Sequence, residues 1–273
     1  MPYLSDIVAA HRRSAGADPR DADALLAHAL AAPPPVSFAA ALRRDPDALA
    51  VIAEVKRRSP SKGPLAPDLD PGDVAAAYSR GGAACLSVLT DREFFGARPG
   101  DLAAAKRAAG IPVLRKDFTV SAADVCDTRC MGADGVLLIV AALTDAELSE
   151  LHALAVRLGV DALVEVHDED ELERALAVGA EIVGVNQRDL VTFDVDPGRA
   201  ARLAPRIPPG VVAVAESGIR DADDARRLAA AGYDAVLVGE TAVTADDRSA
   251  AVRALAGHRV APRAVAGAAR GAR

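Results

Sequence analysis

Eight short apolar runs punctuate the chain, at 49–53, 84–89, 111–115, 135–140, 162–166, 182–185, 211–215 and 235–238. Each is nearly continuous in Val, Leu, Ile and Ala, as a strand covered on both faces should be. Segments with apolar residues at helical spacing lie between them, as at 145–158, 169–178 and 221–231. The joints repeat as well. Gly82-Ala83, Gly110-Ile111, Gly132-Ala133, Gly159-Val160, Gly179-Ala180 and Gly232-Tyr233 each sit where a helix ends just before a strand, and four continue into Asp134, Asp161, Glu181 or Asp234. Glycine suits a left-handed helix C-cap there because it has no Cβ to clash.

This pattern predicts one βα unit reused, and hence a parallel sheet. Eight units favour a single closed (β/α)8 TIM barrel over an open doubly wound sheet. The open sheet would carry a glycine fingerprint after its first strand, whereas this chain has Glu54-Val55-Lys56-Arg57-Arg58-Ser59-Pro60. Residues 1–48 hold two or three short helical patterns, broken by Pro33-Pro34-Pro35, and read as a helical extension that caps the barrel or flanks its mouth. Residues 49–257 read as the barrel. Residues 258–273, with four arginines and no acid, read as a disordered tail.

Composition narrows the function classes. With 32 basic and 39 acidic residues the net charge is −7, which argues against nucleic acid or an anionic membrane as partner. Three Tyr, five Phe and no Trp disfavour a platform of stacked aromatics. Cys85, Cys126 and Cys130 make no disulfide framework. The start Met1-Pro2-Tyr3-Leu4-Ser5-Asp6 lacks the regions of a signal peptide, and no uncharged stretch is long enough to span a membrane. The expectation is a cytoplasmic protein with reduced thiols, monomeric or weakly homo-oligomeric.

Chemistry in such a barrel belongs at the C-terminal ends of the strands. Glu54 and Lys56 follow the first run, Lys116 the third and Asn186 the sixth; Glu165 lies in the fifth, and Glu216 follows the seventh. Any one of these could be a solvated loop residue. Together, two lysines, three glutamates and an asparagine converge on one rim from five strands, where they would perturb one another's pKa. Gly218, with Ser217 beside it, and Gly239 fall in the last two loops, the usual phosphate site of this fold. They predict a small phosphorylated substrate. His167, just past Glu165, reads as a loop residue rather than a catalyst. No HxH or HExxH spacing exists, so no catalytic metal is expected, and protonated lysines would do the electrophilic work.

The motifs around these residues resemble the indole-3-glycerol phosphate synthase family of tryptophan biosynthesis. Ile52-Ala53-Glu54-Val55-Lys56-Arg57-Arg58-Ser59-Pro60-Ser61-Lys62-Gly63 is similar to its first-strand signature, and Leu86-Ser87-Val88-Leu89-Thr90-Asp91-Arg92-Glu93-Phe94-Phe95-Gly96 to its second. Pro112-Val113-Leu114-Arg115-Lys116-Asp117-Phe118, Leu163-Val164-Glu165-Val166-His167 and Ala215-Glu216-Ser217-Gly218-Ile219 follow in order and spacing, and the likeness runs from about Leu4 to about Leu255. Two positions depart from the pattern: Asn186-Gln187-Arg188 replaces the usual Asn-Asn-Arg, and Glu240 follows Gly239 where some relatives carry a small hydroxyl residue.

The resemblance implies a carboxy-lyase that needs neither organic cofactor nor metal. It would close an indole ring on 1-(2-carboxyphenylamino)-1-deoxyribulose 5-phosphate, releasing carbon dioxide and water. It implies Lys116 as general acid, and Glu165 with Lys56 for the dehydration, the acid and the base left open. Glu54, Asn186 and Glu216 would orient the substrate and hold the lysines charged. Phe118 would clasp the aromatic ring. Ser217, Gly218, Gly239 and the backbone of Glu240 would hold the phosphate, with Lys56, Ser59 and Arg188 placed to meet the anionic ends. Rival readings are another phosphosugar barrel such as a ketose isomerase, a catalytically silent phosphate-binding subunit, and a purely structural barrel. The isomerase would need fewer acid–base groups, and the last would leave the crowded rim unexplained.

Overall fold

The computed structural model describes residues 4–60 and 62–263. Eight parallel strands close into a barrel: β1 (Ala50–Val55), β2 (Cys85–Leu89), β3 (Val113–Lys116), β4 (Gly135–Ile139), β5 (Asp161–Val166), β6 (Ile182–Asn186), β7 (Val212–Glu216) and β8 (Ala235–Val238), with β8 hydrogen-bonded back to β1. All eight apolar runs are strands. Several extend past the run, because the ladder continues through polar residues: Glu54 pairs with Ser87, Leu89 with Lys116, and Asn186 with Glu216.

Strand side chains alternate between the barrel interior and the helix layer. Ile52, Leu114, Leu137, Leu163, Ile182, Val214 and Leu237 fill the interior in one cluster. Val51, Ala53, Leu86, Val113, Val136, Val164 and Val183 form another with the surrounding helices. The interior set keeps its parity into the site: Glu54 is two residues beyond Ile52, Lys116 beyond Leu114, Glu165 beyond Leu163 and Glu216 beyond Val214.

Three helices precede the barrel: α1 (Leu4–Gly16), α2 (Ala22–Ala31) and α3 (Phe38–Leu42). The alternatives of cap and flank both occur. Phe38 and Leu42 of α3 close the floor of the interior cluster, while Leu4 and Ile7 of α1 line the opposite, open end. The connections carry α4 (Pro71–Arg80), α5 (Asp101–Ala109), α6 (Ala122–Cys130), α7 (Asp145–Arg157), α8 (Glu169–Ala177), α9 (Arg199–Leu203) and α10 (Ala222–Ala230); α11 (Glu240–Val243) and α12 (Arg248–Leu255) follow β8. Asp145 and Glu147 sit in the first turn of α7, whose N-cap Thr144 forms a capping box with Glu147, so charge and hydrogen bonding both fix its start.

All six joint glycines have φ between +65° and +91°, the left-handed conformation that ends each helix. The acids after them have a structural use. Asp134 accepts the backbone N–H groups of Val113 and Val36 and the Lys106 ammonium. Asp161 accepts from Ala39 and Ser37 of the α3 cap, and Asp234 from the N–H of Ala213. These carboxylates stitch the bottom of the barrel.

The expectation of a disordered tail from residue 258 needs correction over 258–263. The carbonyl of His258 accepts from Leu49, Val260 donates to Asp47 and Ala261 to Ala229. Arg263 pairs with Asp234 at 2.7 Å and donates to the carbonyls of Gly232 and Val211. The segment reads as tail because it lacks an apolar period, but backbone hydrogen bonds and one buried guanidinium hold it in place. The rest of that expectation lies outside the described residues.

Candidate active site

At the C-terminal end of the barrel a cavity of about 490 Å³ opens beneath α1 and the long loops. All thirteen residues expected at the site line it: Glu54, Lys56, Ser59, Lys116, Phe118, Glu165, Asn186, Arg188, Glu216, Ser217, Gly218, Gly239 and Glu240. Glu54, Glu165 and Glu216 are at most 4% exposed.

The floor is a charge network. Lys56 Nζ lies 2.5 Å from Glu54 Oε1, and Ser87 Oγ donates to Glu54 Oε2 at 3.3 Å. Lys116 Nζ lies 3.4 Å from Glu165 Oε2 and 4.0 Å from Glu216 Oε2. Asn186 Nδ2 donates to Glu165 Oε1 at 3.0 Å. Burial alone would raise the pKa of each carboxyl. For Glu54 the charges of Lys56 and Lys116 outweigh burial and lower it; for Glu165 the charges of Lys116 and His167 and the Asn186 hydrogen bond do the same. Glu216 is different: burial and the neighbouring Glu165 charge push it well above the usual carboxylate range. Burial disfavours the Lys116 ammonium, but Glu165, Glu216 and Glu54 together raise its pKa. The floor therefore holds the Lys116 ammonium among carboxyl groups whose pKa values are pushed apart, down for Glu54 and Glu165 and up for Glu216.

The glycines do more than expected from their loop positions. A Cβ on Gly239 would fall 2.4 Å from Glu54 Oε1 and 2.9 Å from Lys56 Nζ, so this glycine makes room for that ion pair. Ser217 and Gly218 both have positive φ, at 64° and 73°. A Cβ on Gly218 would meet Val195 Cγ1 at 2.5 Å, so its immediate neighbour is the loop after β6. Gly184 on β6 was absent from the sequence reading. Its missing side chain is where Glu216 Oε1 sits, 2.1 Å from the position of a Cβ.

The two departures find places. Gln187 donates from Nε2 to the Ser217 carbonyl at 2.8 Å, bracing the β7 loop from beside the cavity. The Glu240 carboxylate pairs with Lys62 at the edge of the cavity. Arg188 donates to the Phe193 carbonyl at 2.9 Å, which ties the guanidinium to its own loop.

Three further side chains lie at or beside the site. Lys62 lines the cavity. His11 of α1 lies 2.8 Å from Asp91 and stacks at 5.4 Å on Phe118, fastening the helix to the mouth. His167 Nε2 stands 3.5 Å from Glu165 Oε1, so the loop reading of this residue is incomplete. The two-residue spacing was the available signal for His167; nothing local signals His11. Among the described residues His11, Asp91 and Asp117 form the one cluster with ligand-like spacing. Its acids already accept from Phe94, Phe95 and Phe118 backbone, Thr90 and Arg115, which does not suit a resident metal.

Fold and site thus define a (β/α)8-barrel enzyme with a cavity lined by ammonium and carboxyl groups at the C-terminal rim. Solved structures share the architecture. Thiamine phosphate pyrophosphorylase from Pyrococcus furiosus superposes with a TM-score of 0.57 at 18% identity, over 76% of this chain and 93% of that one. (S)-3-O-geranylgeranylglyceryl phosphate synthase from Thermoplasma acidophilum gives 0.58 at 12%, over 81% and 97%. At such identities the likeness is one of fold. Sequence goes further. The family model for indole-3-glycerol phosphate synthase matches residues 4–255. Indole-3-glycerol phosphate synthase 2 of Streptomyces coelicolor is 52% identical over 229 residues, covering 84% of this chain and 88% of its own. The Micrococcus luteus synthase is 49% identical over 259 residues, covering 93% and 97%. The chain belongs to the indole-3-glycerol phosphate synthase family. Among the described residues no helix is long and apolar enough to cross a membrane.

Proposed function

We propose that this chain is an indole-3-glycerol phosphate synthase, a carboxy-lyase of tryptophan biosynthesis. It converts 1-(2-carboxyphenylamino)-1-deoxyribulose 5-phosphate to indole-3-glycerol phosphate. The observation that carries the reading is the Lys116 ammonium, held between Glu165 and Glu216 on the floor of a cavity large enough for the substrate.

Ring closure needs the aromatic carbon that bears the carboxylate to attack the ribulose carbonyl. Lys116 donates a proton to the carbonyl oxygen, and its charge stabilises the alkoxide as it forms. Loss of carbon dioxide then restores the aromatic ring. In the dehydration Glu165, held ionised, takes the proton and Lys56 gives one to the departing hydroxyl. Glu54 orients Lys56, Asn186 orients Glu165, and Glu216 sits beside Lys116. Phe118, with Phe95 at a ring distance of 6.2 Å, clasps the anthranilate ring. Ser217, Gly218, Gly239 and the backbone of Glu240 take the phosphate, with Ser59, Lys56 and Arg188 near the anionic ends. The chemistry calls on no cofactor or metal, and the enzyme works in the cytoplasm as a monomer or weak homo-oligomer.

Incubation with the carboxyphenylamino-deoxyribulose phosphate, followed by indole absorbance, tests the reading. Appearance of the indole chromophore, lost in Lys116→Ala, supports it. Ketose–aldose isomerisation of a phosphosugar without indole formation would replace it.

A further inference from the structure

Helix α1 lies across the mouth of the cavity, and two consecutive side chains fasten it there. His11 Nε2 is 2.8 Å from Asp91 Oδ2, in the loop after β2, and 3.9 Å from Asp117 Oδ1, just past β3. Arg12 reaches the next stretch of rim, with its two Nη atoms on Glu147 at 2.6 and 2.9 Å and one of them on the Ala142 carbonyl at 3.1 Å. Leu4 and Ile7 of the same helix line the cavity, and Ile7 is buried one turn before His11.

The two anchors differ in kind. The Arg12–Glu147 pair is partly solvated, which gives it small net worth. The Asp91 side chain is only 4% exposed, against 19% for His11. A carboxylate so far from water needs a counter-charge. Asp117 has one in Arg115, at 2.9 Å. Asp91 pairs with no lysine or arginine among the described residues, and His11 is the side chain that can offer it a positive charge. Asp91 also joins this anchor to the aromatic wall, since its Oδ1 accepts the backbone N–H groups of Phe94 and Phe95. The His11 ring packs on Phe118 at 5.4 Å with a tilt of 42°, and Phe118 meets Phe95 at 6.2 Å. Both phenylalanines line the cavity, whereas His11 does not. His11 therefore touches one ring of the wall directly and holds the loop of the other through Asp91.

We propose that His11 is the positioning residue of the aromatic end of this site: its contacts with Asp91 and Phe118 seat α1 and fix the wall on which the anthranilate half of the substrate lies. The inference rests on the role given above to Phe118. It makes substrate binding depend on pH. The charged groups facing the ring are Asp91 after β2, Asp117 with its partner Arg115 at the end of β3, and Asp124 on α6. Burial disfavours the imidazolium, but the Asp91 hydrogen bond and the charges of Asp117, Asp91 and Asp124 outweigh it and raise the pKa of His11. A histidine raised in this way is gripped in its charged form. The grip is complete below the ordinary value of 6.5 and is lost as pH rises through the raised one.

The test compares wild type with His11→Gln and His11→Lys from about pH 6 to about pH 9, the range in which such a histidine titrates. Gln keeps a donor to Asp91 without a charge; Lys keeps the charge throughout but has no ring. Turnover gives KM and kcat. Calorimetry gives the affinity for inorganic phosphate and for the substrate analogue whose ketone is reduced to an alcohol. At the acidic end His11→Gln should raise KM and weaken the analogue about tenfold, the scale of one charged hydrogen bond. Its kcat and phosphate affinity should stay near wild type, as expected when binding common to substrate and transition state is lost. The gap should close as pH rises, because wild type then loses the charge that Gln never had. Melting temperatures without ligand should converge in the same direction. The KM of His11→Lys should improve relative to wild type over the same range. Wild-type KM and analogue affinity in His11→Gln at the acidic end, a loss confined to kcat, or an equal loss of phosphate and analogue binding would each overturn the proposal. Should His11→Gln fail to fold, a constant KM ratio between His11→Lys and wild type across the range would overturn it instead. Failure of the wild type to form indole would sink the underlying reaction, a result that can be told apart because the melting temperatures need no substrate.

Discussion

Gly184→Ala is a one-carbon change inside the barrel with a calculable consequence. The added Cβ would fall 2.1 Å from Glu216 Oε1, and 3.2 Å from both Glu216 Cδ and Leu163 Cδ1. A carbon–oxygen contact needs about 3.2 Å or more, so the carboxyl must retreat by roughly 1 Å, given close packing with few voids. Glu216 is 2% exposed and has no slack to the outside. Overpacking of this kind costs about 1–3 kcal/mol. At about 2–4 °C per kcal/mol for a chain approaching this size, the melting temperature should fall by roughly 2–12 °C. The displaced carboxyl also moves relative to Lys116, now 4.0 Å away, and a 1 Å error in a catalytic array can cost about a hundredfold in rate. The assay is thermal unfolding and kcat for Gly184→Ala, Glu216→Ala and the double variant. Removing the Glu216 carboxyl removes the clash, so Gly184→Ala should cost far less stability in the Glu216→Ala background. Equal costs in both backgrounds would refute the steric account, as would a Gly184→Ala enzyme with wild-type melting and turnover.

Four further outcomes follow from the same geometry. Lys116→Ala should lower kcat by about two to four orders of magnitude with a much smaller effect on binding, measured by substrate titration and turnover. Glu216→Gln should gain stability over wild type as pH rises. An acid whose folded pKa is raised adds no cost below its unfolded value of about 4.3 and progressively destabilises the native state above it, which a neutral amide escapes. Urea midpoints at acidic and at mildly alkaline pH should therefore agree at the first and diverge in favour of Gln at the second. Activity should survive exhaustive chelation; a loss that Mg²⁺ or Zn²⁺ restores would contradict the lysine-based chemistry. Truncation after Val260 removes the partner of Asp234 and the donor to the Gly232 and Val211 carbonyls. At about 1.5–3 kcal/mol for a charged hydrogen bond, the melting temperature should drop by several degrees, whereas unchanged melting would mean that the segment carries no load.

What was legible in the sequence, and what was not, follows from how far apart the interacting residues lie along the chain. The glycine joints, the apolar runs and the two-residue spacing of Glu54 and Lys56 are local, and each maps directly onto a strand or a helix end. Strand ends were drawn one or two residues short because an apolar run stops where the ladder does not: Glu54, Lys116, Asn186 and Glu216 keep their backbone pairing while changing polarity. The acids after the joint glycines were visible as a pattern, but their use depends on backbone groups of neighbouring strands and of α3. His11 and Asp91 are 80 residues apart, and no period connects them.

Gly184 is the sharpest case of the difference. In the chain it is a small residue inside an apolar run, indistinguishable from an alanine chosen to fit between larger neighbours. In the barrel β6 and β7 are adjacent and in register, Gly184 beside Val214 and Asn186 beside Glu216, with Gly184 and Glu216 both turned inward. Glu216 can then fold its carboxyl back over Gly184 only because no Cβ stands there. That position is also what raises the pKa of Glu216: it is buried, and the Glu165 carboxylate beside it makes a second negative charge in the same dry space unfavourable. A missing methyl group on one strand thereby leaves room for an acid of the next to lie buried beside Glu165 and Lys116.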